Sequence, residues 1–484
     1  MLIIGILFLC VNVASALEVT FLFWSDKFSH NIPSSEMVDG KVISFGGVGT
    51  LSGMIETLRQ ENPNSFVLVA GGELGGTAAS AFTRGLSQVE ILNRLKIDAM
   101  VPGEYEFEYG WRNLQEIMSK ASFPVLLANI LIKKERFPIF PPDTVIETAD
   151  SKVGIIGLLN PEFGDIVMRE SVLELEGFNP VSDVIDFVKR CRENCDLLVA
   201  LSYMGWEADS ILATGINGLD VIISGKGGEP LESPRVINDI LLVRARPYGR
   251  WLGMLNITVD TENGGVFEYE STVLPVKSGS APLDRKLEDM AQKVERKYAD
   301  ELNRKLSKLQ YDWEIYADRP SNLAQWTADM MLETAPVSLS VINNNSLKKG
   351  LPEGIITEHD MWEICPHEYP LVVFQITGRE MIDILKRQVK GMDEFITWGG
   401  LTLAAENGEL KDVFIAGKPL NWREDYAVVT TGELWGNLEY YLNIWREGRP
   451  RFYLPEYNLR DKMIEAVERE RIISSELDER WIVR

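Results

Sequence analysis

The chain has 484 residues, of which 45% are hydrophobic and 25% charged, more than one ordinary core takes up and the composition of a globular protein of two or three domains. A formal net charge of −23 leaves no basic stripe to track a phosphate backbone, which excludes DNA and RNA as partners. No stretch is long and apolar enough to span a bilayer, so no transmembrane segment is expected.

Residues 2–13 form an apolar run ahead of Ala14-Ser15-Ala16, a small-residue cleavage pattern. Residues 1–16 therefore read as a secretory signal peptide, and the mature chain, starting near Leu17, as an exported protein, periplasmic or extracellular. Bulky Phe8 and Leu9 before Cys10 argue against a lipid anchor. The mature chain keeps Cys191, Cys195 and Cys365; the first two pair if a helix breaks between them, or stand as two buried thiols at a helix end. No CxxC pair has zinc spacing.

From Glu18 the pattern predicts strands at 19–24, 66–69, 99–101 and 125–128, alternating with helices at 49–61, 87–95 and 111–121. Strands at 145–147, 153–158, 197–201, 221–223, 241–244 and 252–259 and a helix at 181–193 follow. This βαβ rhythm implies right-handed crossovers and largely parallel sheets, an α/β first domain. The stretch 95–111 stands out: a helix end, a short buried strand, a Pro102-Gly103 turn, then acids interleaved with aromatics. The carboxyl ends of such strands are where open sheets place their sites.

Residues 283–309 are dense in charge, with Leu287, Met290, Val294, Tyr298 and Leu302 spaced by three and four, a long solvent-washed helix joining two domains. Beyond it, helices at 320–334, 358–364 and 378–389 mix with strands at 338–343, 371–377, 401–404, 413–415 and 426–430, an α+β arrangement. Trp398, Trp422, Trp435, Tyr440, Tyr441, Trp445, Phe452 and Tyr453 crowd this domain's end; core packing or a binding surface accounts for them. A charged, partly helical tail spans 459–484.

Gly103-Glu104-Tyr105-Glu106-Phe107-Glu108 resembles the Gly-Asn-His-Glu-Phe-Asp signature of the 5′-nucleotidase branch of the metallophosphoesterases. Ordered landmarks extend the resemblance over most of the chain: Phe45 to Leu51, Gly75-Gly76-Thr77, Phe123 to Ile130, Val153 to Leu158, Leu219 to Gly225, Ser321 to Ala324, Val341 to Asn344 and Ile376 to Glu380. The fold it implies is a four-layer metallophosphoesterase-like β-sandwich flanked by helices at 17–275, a linker helix at 276–310, an α+β 5′-nucleotidase C-terminal-like domain at 311–455 and a tail at 456–484.

The family hydrolyses phosphate esters with two divalent metals held by Asp, His and Asn. Against its pattern, Asp-x-His falls on Asp26-Lys27-Phe28, the bridging Asp on Gly72 with Glu73 beside it, and Asn-His on Glu104 and Tyr105. Ser-His falls on Ser202-Tyr203, and Gly-His-x-His on Gly225-Lys226-Gly227-Gly228. Independently of alignment, the chain holds three histidines, His30, His359 and His367, and only His30 lies in the first half, too few imidazoles for a dimetal site. Lys226 is expected to pair with Asp26 or Glu104. In the second half the substrate Arg falls on Lys348, one stacking Phe on His367, and the second Phe and its following Asp within 432–440, with Glu433 and Glu439 as counterparts.

The leading expectation is a 5′-nucleotidase-like protein without dimetal catalysis or cofactor, a pseudoenzyme that binds or scaffolds another protein or a small ligand. One alternative is a hydrolase of nucleotides or other phosphate esters with a rebuilt carboxylate site, in which Asp26, Glu73 and Glu104 hold Mn²⁺, Zn²⁺ or Ca²⁺. The other is a metal-independent binder of a small nucleoside-like ligand.

Overall fold

A computed structural model of the chain describes residues 17–38, 41–226, 231, 233–244, 246–259, 265–391 and 394–483; the expected signal peptide and Gly228 lie outside them. Leu17–Trp24 is apolar at nearly every position and buried from Val19 onward, the signature of a strand covered on both faces. It sits in the middle of a five-stranded sheet ordered Val266–Pro275, Trp251–Val259, Leu17–Trp24, Ser65–Ala70, Ala99–Val101. The last three run parallel and the first two pair antiparallel.

A second, six-stranded sheet runs Arg235–Ile237, Ile240–Val243, Val221–Ser224, Leu197–Tyr203, Lys152–Leu159, Asp143–Glu147, with a parallel centre and antiparallel edges. Its inner face shares one core with the first sheet. Helices Val48–Glu61, Leu86–Leu95 and Trp111–Met118 cover the outside of the first sheet, and Ile185–Arg192 and Trp206–Gly215 that of the second. The result is a helix–sheet–sheet–helix sandwich of four layers.

Three sequence expectations need correction. The helix at 181–193 divides into Pro180–Asp183 and Ile185–Arg192, because Asn179 caps a first turn that opens on a proline. The helix at 283–309 ends at Glu301; it starts on the Asp284 side chain, which accepts from the Leu287 N–H. It is not washed by solvent all round, since Leu287 and Ala291 are buried in the first domain's core. Lys305–Leu309, beyond the end of that helix, forms a strand antiparallel to Gly354–Thr357 although its Leu306 and Leu309 are three apart. At the expected strand 125–128 there is a single bridge, Val125 to Met100.

The second half is built on a sheet ordered Ile396–Gly399, Leu339–Asn343, Asp425–Thr431, Pro370–Thr377, Arg451–Asn458. One face packs on helices Asn322–Leu332, Glu358–Ile364 and Leu459–Arg469, the other on Gly378–Val389, Gly432–Gly436 and Leu438–Leu442. The charged tail is packed back: Arg460 is buried, and Trp481–Val483 pairs parallel to Leu403–Ala405. Cys191, Cys195 and Cys365 are free thiols.

Candidate functional site

The site lies where the sequence pattern puts it, at the carboxyl ends of Leu17–Trp24, Ser65–Ala70, Ala99–Val101, Leu197–Tyr203 and Val221–Ser224. Asp26, Phe28 and Ser29 take positive φ, a tight loop whose N–H groups donate to the carbonyls of Gly71, Gly72 and Glu73. The facing loop is held from below by Glu106. This wholly buried carboxylate accepts backbone N–H bonds from Glu73 at 2.5 Å, Gly103 at 2.7 Å, Leu74 at 3.0 Å and Gly72 at 3.3 Å. Glu106 is thus a structural clamp rather than a solvated acid.

Gly72 has φ 70°, and a Cβ on it would lie 2.8 Å from both the Cα and an Oδ of Asp26. The fold here is closed to any side chain. Glu73 turns away from the cleft: its carboxylate takes the Trp24 indole N–H at 2.5 Å, the Gln88 amide at 2.7 Å and the Lys27 ammonium at 3.2 Å. Burial lowers the Lys27 pKa, while Glu73 beside it opposes the shift.

Asp26 and Glu104 do come together at the cleft floor, each already matched by a donor of the chain. The Tyr203 hydroxyl donates to Asp26 Oδ1 at 2.5 Å and the Ser25 hydroxyl to Oδ2 at 2.9 Å. The Lys226 ammonium pairs with Glu104 Oε1, which also accepts from Asn160 Nδ2 at 3.3 Å. Lys226 therefore chooses Glu104 of the two partners expected. Burial raises the Glu104 pKa and Lys226 opposes the shift; burial likewise lifts Tyr203 well above the usual phenol range, so it stays a hydrogen-bond donor. Among the described residues, the one trio of His, Cys, Asp or Glu donor atoms within 4.8 Å of one another is His359, Asp360 and Glu363. Asp360 there caps its own helix at Thr357, and Glu363 pairs with Lys349.

The second domain closes over this floor. His367 is buried, and its ring stacks on Tyr105 with centroids 4.2 Å apart and meets Phe28 edge-on at 5.0 Å. Its Nδ1 lies 3.2 Å from a Glu108 carboxylate oxygen. Tyr105 and His367 are thus packed against each other. On the other side of the cleft Arg446 pairs with Glu162 and Asp165, and Asp165 also accepts from Arg451 at 3.0 Å and the Tyr453 hydroxyl at 2.7 Å. Gly432 and Gly436 let a short helix lie directly on this turn: their Cβ positions fall 3.0 Å from the Asp165 carbonyl and 2.7 Å from Ile166. Nothing in the sequence announced these contacts, because Asp165 and Arg446 are 281 residues apart.

Between the two seams lies a cleft of about 2450 Å³, lined by both domains. Glu433 borders it half-buried, accepting from the Tyr441 hydroxyl at 2.6 Å and the Ser346 hydroxyl at 3.1 Å. Lys348 is exposed on the wall and donates to the Asn345 carbonyl at 2.7 Å, and Glu439 accepts the Arg446 N–H at 2.6 Å. His30 lies at the rim, its ring 5.5 Å from Tyr248. Of the crowded aromatics, Trp398 and Trp435 are core, whereas Trp422, Tyr440, Trp445 and Phe452 are exposed.

Comparison with known proteins agrees with this architecture. Residues 305–436 match the family model described as 5′-nucleotidase, C-terminal domain. The mouse 5′-nucleotidase is 24% identical over 439 residues, covering 80% of this chain and 75% of the mouse protein. The Vibrio parahaemolyticus 5′-nucleotidase is 24% identical over 470 residues, 85% of this chain and 79% of its own. Among solved structures, a 5′-nucleotidase precursor from Thermus thermophilus superposes with a TM-score of 0.74 at 22% identity, over 96% of this chain and 99% of that one. Residues 305–436 and the two-domain fold are thus similar to those of 5′-nucleotidases.

Proposed function

We propose that this 5′-nucleotidase-like chain is an exported, non-catalytic binding protein, which keeps the two-domain fold and its cleft and has given up the dimetal reaction. The observation that carries the reading is the state of the cleft floor. Both of its carboxylates are matched by the chain's own donors, Asp26 by Tyr203 and Glu104 by Lys226, and the bridging position is a glycine with no room for a ligand atom.

The residues present do not fit a pair of divalent ions. An ammonium on Glu104 puts a fixed positive charge where a cation needs a lone pair, and a buried tyrosine that retains its proton is a donor, not a ligand. The carboxylate triad of Asp26, Glu73 and Glu104 is divided, because Glu73 is spent on Trp24, Gln88 and Lys27. Residues 1–16 act in this reading as the export signal, which delivers the protein to the periplasm or the exterior.

The test is the metal content of the purified mature protein after incubation with Mn²⁺, Zn²⁺ or Ca²⁺ and removal of the excess, together with phosphate release from AMP. Well under one metal per chain and no release above buffer are expected. Near-stoichiometric metal and turnover, both lost in an Asp26→Ala, Glu104→Ala double variant, would overturn the proposal.

A further inference from the structure

The cleft differs from a metabolite pocket in size, surface and charge. At about 2450 Å³ it has more than twice the roughly 1,000 Å³ at the upper end of small-molecule sites. Large apolar side chains stand exposed on both of its walls: Leu173 at 53% and Ile211 at 63% on the first domain, Tyr440 at 71% and Trp445 at 79% on the second. Exposed apolar groups gathered along one groove and rimmed by polar residues mark an interaction surface. Spread over two walls, they suit an occupant that runs along the groove rather than one that sits at a point.

The charge of the lining narrows the occupant. Eleven carboxylates face eight lysines and arginines. Of the bases, Lys226, Lys349, Arg446 and Arg451 are already paired with acids of the same lining. Lys133 and Lys348 donate to the carbonyls of Leu173 and Asn345, Arg244 is buried against Trp206, and Arg250 lies over the Phe45 ring. Among the described residues Glu207, Glu439 and Glu447 have no lysine or arginine side chain as a partner, and all three line the cleft. The groove is thus acidic between apolar patches, in a chain whose net charge is −23.

Resting on the non-catalytic reading above, we infer that the cleft receives an extended polypeptide segment that alternates basic and large apolar side chains. The basic groups meet Glu207, Glu439 and Glu447, and the apolar ones cover Trp445, Tyr440, Ile211 and Leu173. Trp445 is the anchor, since aromatic residues with a large exposed face carry most of the energy of such contacts.

Fluorescence anisotropy of labelled 12-residue peptides at about 150 mM salt tests this, a concentration at which exposed charges beyond about 8 Å are largely screened. The probes are a Lys-Leu alternating peptide, a Glu-Leu version and a Lys-Ser version, with the full mature chain. The Lys-Leu peptide is expected to bind at one saturable site at least about tenfold more tightly than either control, with Trp445→Ala and Ile211→Ser each weakening it about tenfold. Glu268→Gln with Glu270→Gln, on a strand away from the cleft, is expected to leave binding unchanged and reports non-specific attraction to an acidic surface. Trp445 and Ile211 are exposed, so both variants fold; a melting curve verifies it.

Equal binding of all three peptides, no binding, or native affinity in the Trp445 and Ile211 variants would overturn the inference. Phosphate release from AMP, measured on the same preparation with Mn²⁺, separates the two claims. Turnover removes the non-catalytic reading whatever the peptides do, and failed peptide binding without turnover removes only the polypeptide.

Discussion

The floor and the second-domain wall of the cleft differ in how their polar and apolar groups are matched. On the floor three positions are answered by neighbours: Tyr203 by Asp26, Lys226 by Glu104, and Gly72 by the close approach of the Asp26 backbone. Across from it, at the mouth of the cleft, the rings of Tyr440 and Trp445 are exposed, Glu439 takes the Arg446 backbone N–H, and Glu447 has no lysine or arginine side chain as a partner among the described residues. Internal matching makes a rigid, self-satisfied base; exposed rings and acids leave surface for something else to cover.

The largest effect expected from disturbing this contrast is at Gly72. Gly72→Asp adds a left-handed residue and a side chain into a gap of 2.8 Å, costing about 4 kcal/mol in urea unfolding and yielding no metal centre. Lys226→Met leaves Glu104 buried without its cation and costs about 3 kcal/mol, while Lys226→Met with Glu104→Gln regains most of it. A double variant as unstable as the single one would show that the pair is not the source of the loss. Tyr203→Phe removes one hydroxyl from Asp26 and costs about 1.5 kcal/mol by the same measurement.

The seam at Glu108 and His367 gives a smaller, pH-dependent effect. Burial pushes Glu108 up to about 7, so its contribution is present below its unfolded value near 4.5 and is lost as pH rises through 7. Burial lowers His367 well below 6.5, so its contribution is present above 6.5 and is lost as pH falls. The two oppose each other below 6.5, and between 6.5 and 7 Glu108 acts together with Glu106, Glu295 and Glu368, which burial also pushes up to about 7. Stability should fall over that interval, and Glu108→Gln should remove less than about 1 kcal/mol of the fall and leave the rest. At the open wall Trp445→Ala should change stability by no more than about 0.5 kcal/mol, read from the melting temperature, because its ring is 79% exposed. A large loss there would make Trp445 a structural residue and erase the contrast.

The apolar strands were legible because burial on both faces writes a continuous run, as in 99–101, and the helices 358–364 and 378–389 because each opens on a Thr capping box. Val266–Pro275 escaped because it is an edge strand with an exposed face and little apolar alternation. For the candidate site, alignment of short motifs named Asp26, Gly72, Glu104, Tyr203 and Lys226. It gave no sign that Glu73 turns inward or that Glu106 clamps four backbone N–H groups, since nothing in a Glu-x-Glu spacing states which acid faces the core. Asn160, Asp165, Arg244 and Arg446 were missed because their partners are distant in sequence and no local pattern marks them.

The position of Leu17–Trp24 has a kinetic consequence. A strand from the start of the described chain lies at the centre of the first sheet, with Thr20 bonded to Asn256 across 236 residues. The sheet cannot close until residue 259 has been synthesised, and contacts of such separation make folding slow. The first domain therefore remains open for much of its synthesis, the condition in which a chain can still be threaded through a narrow pore or captured by a chaperone.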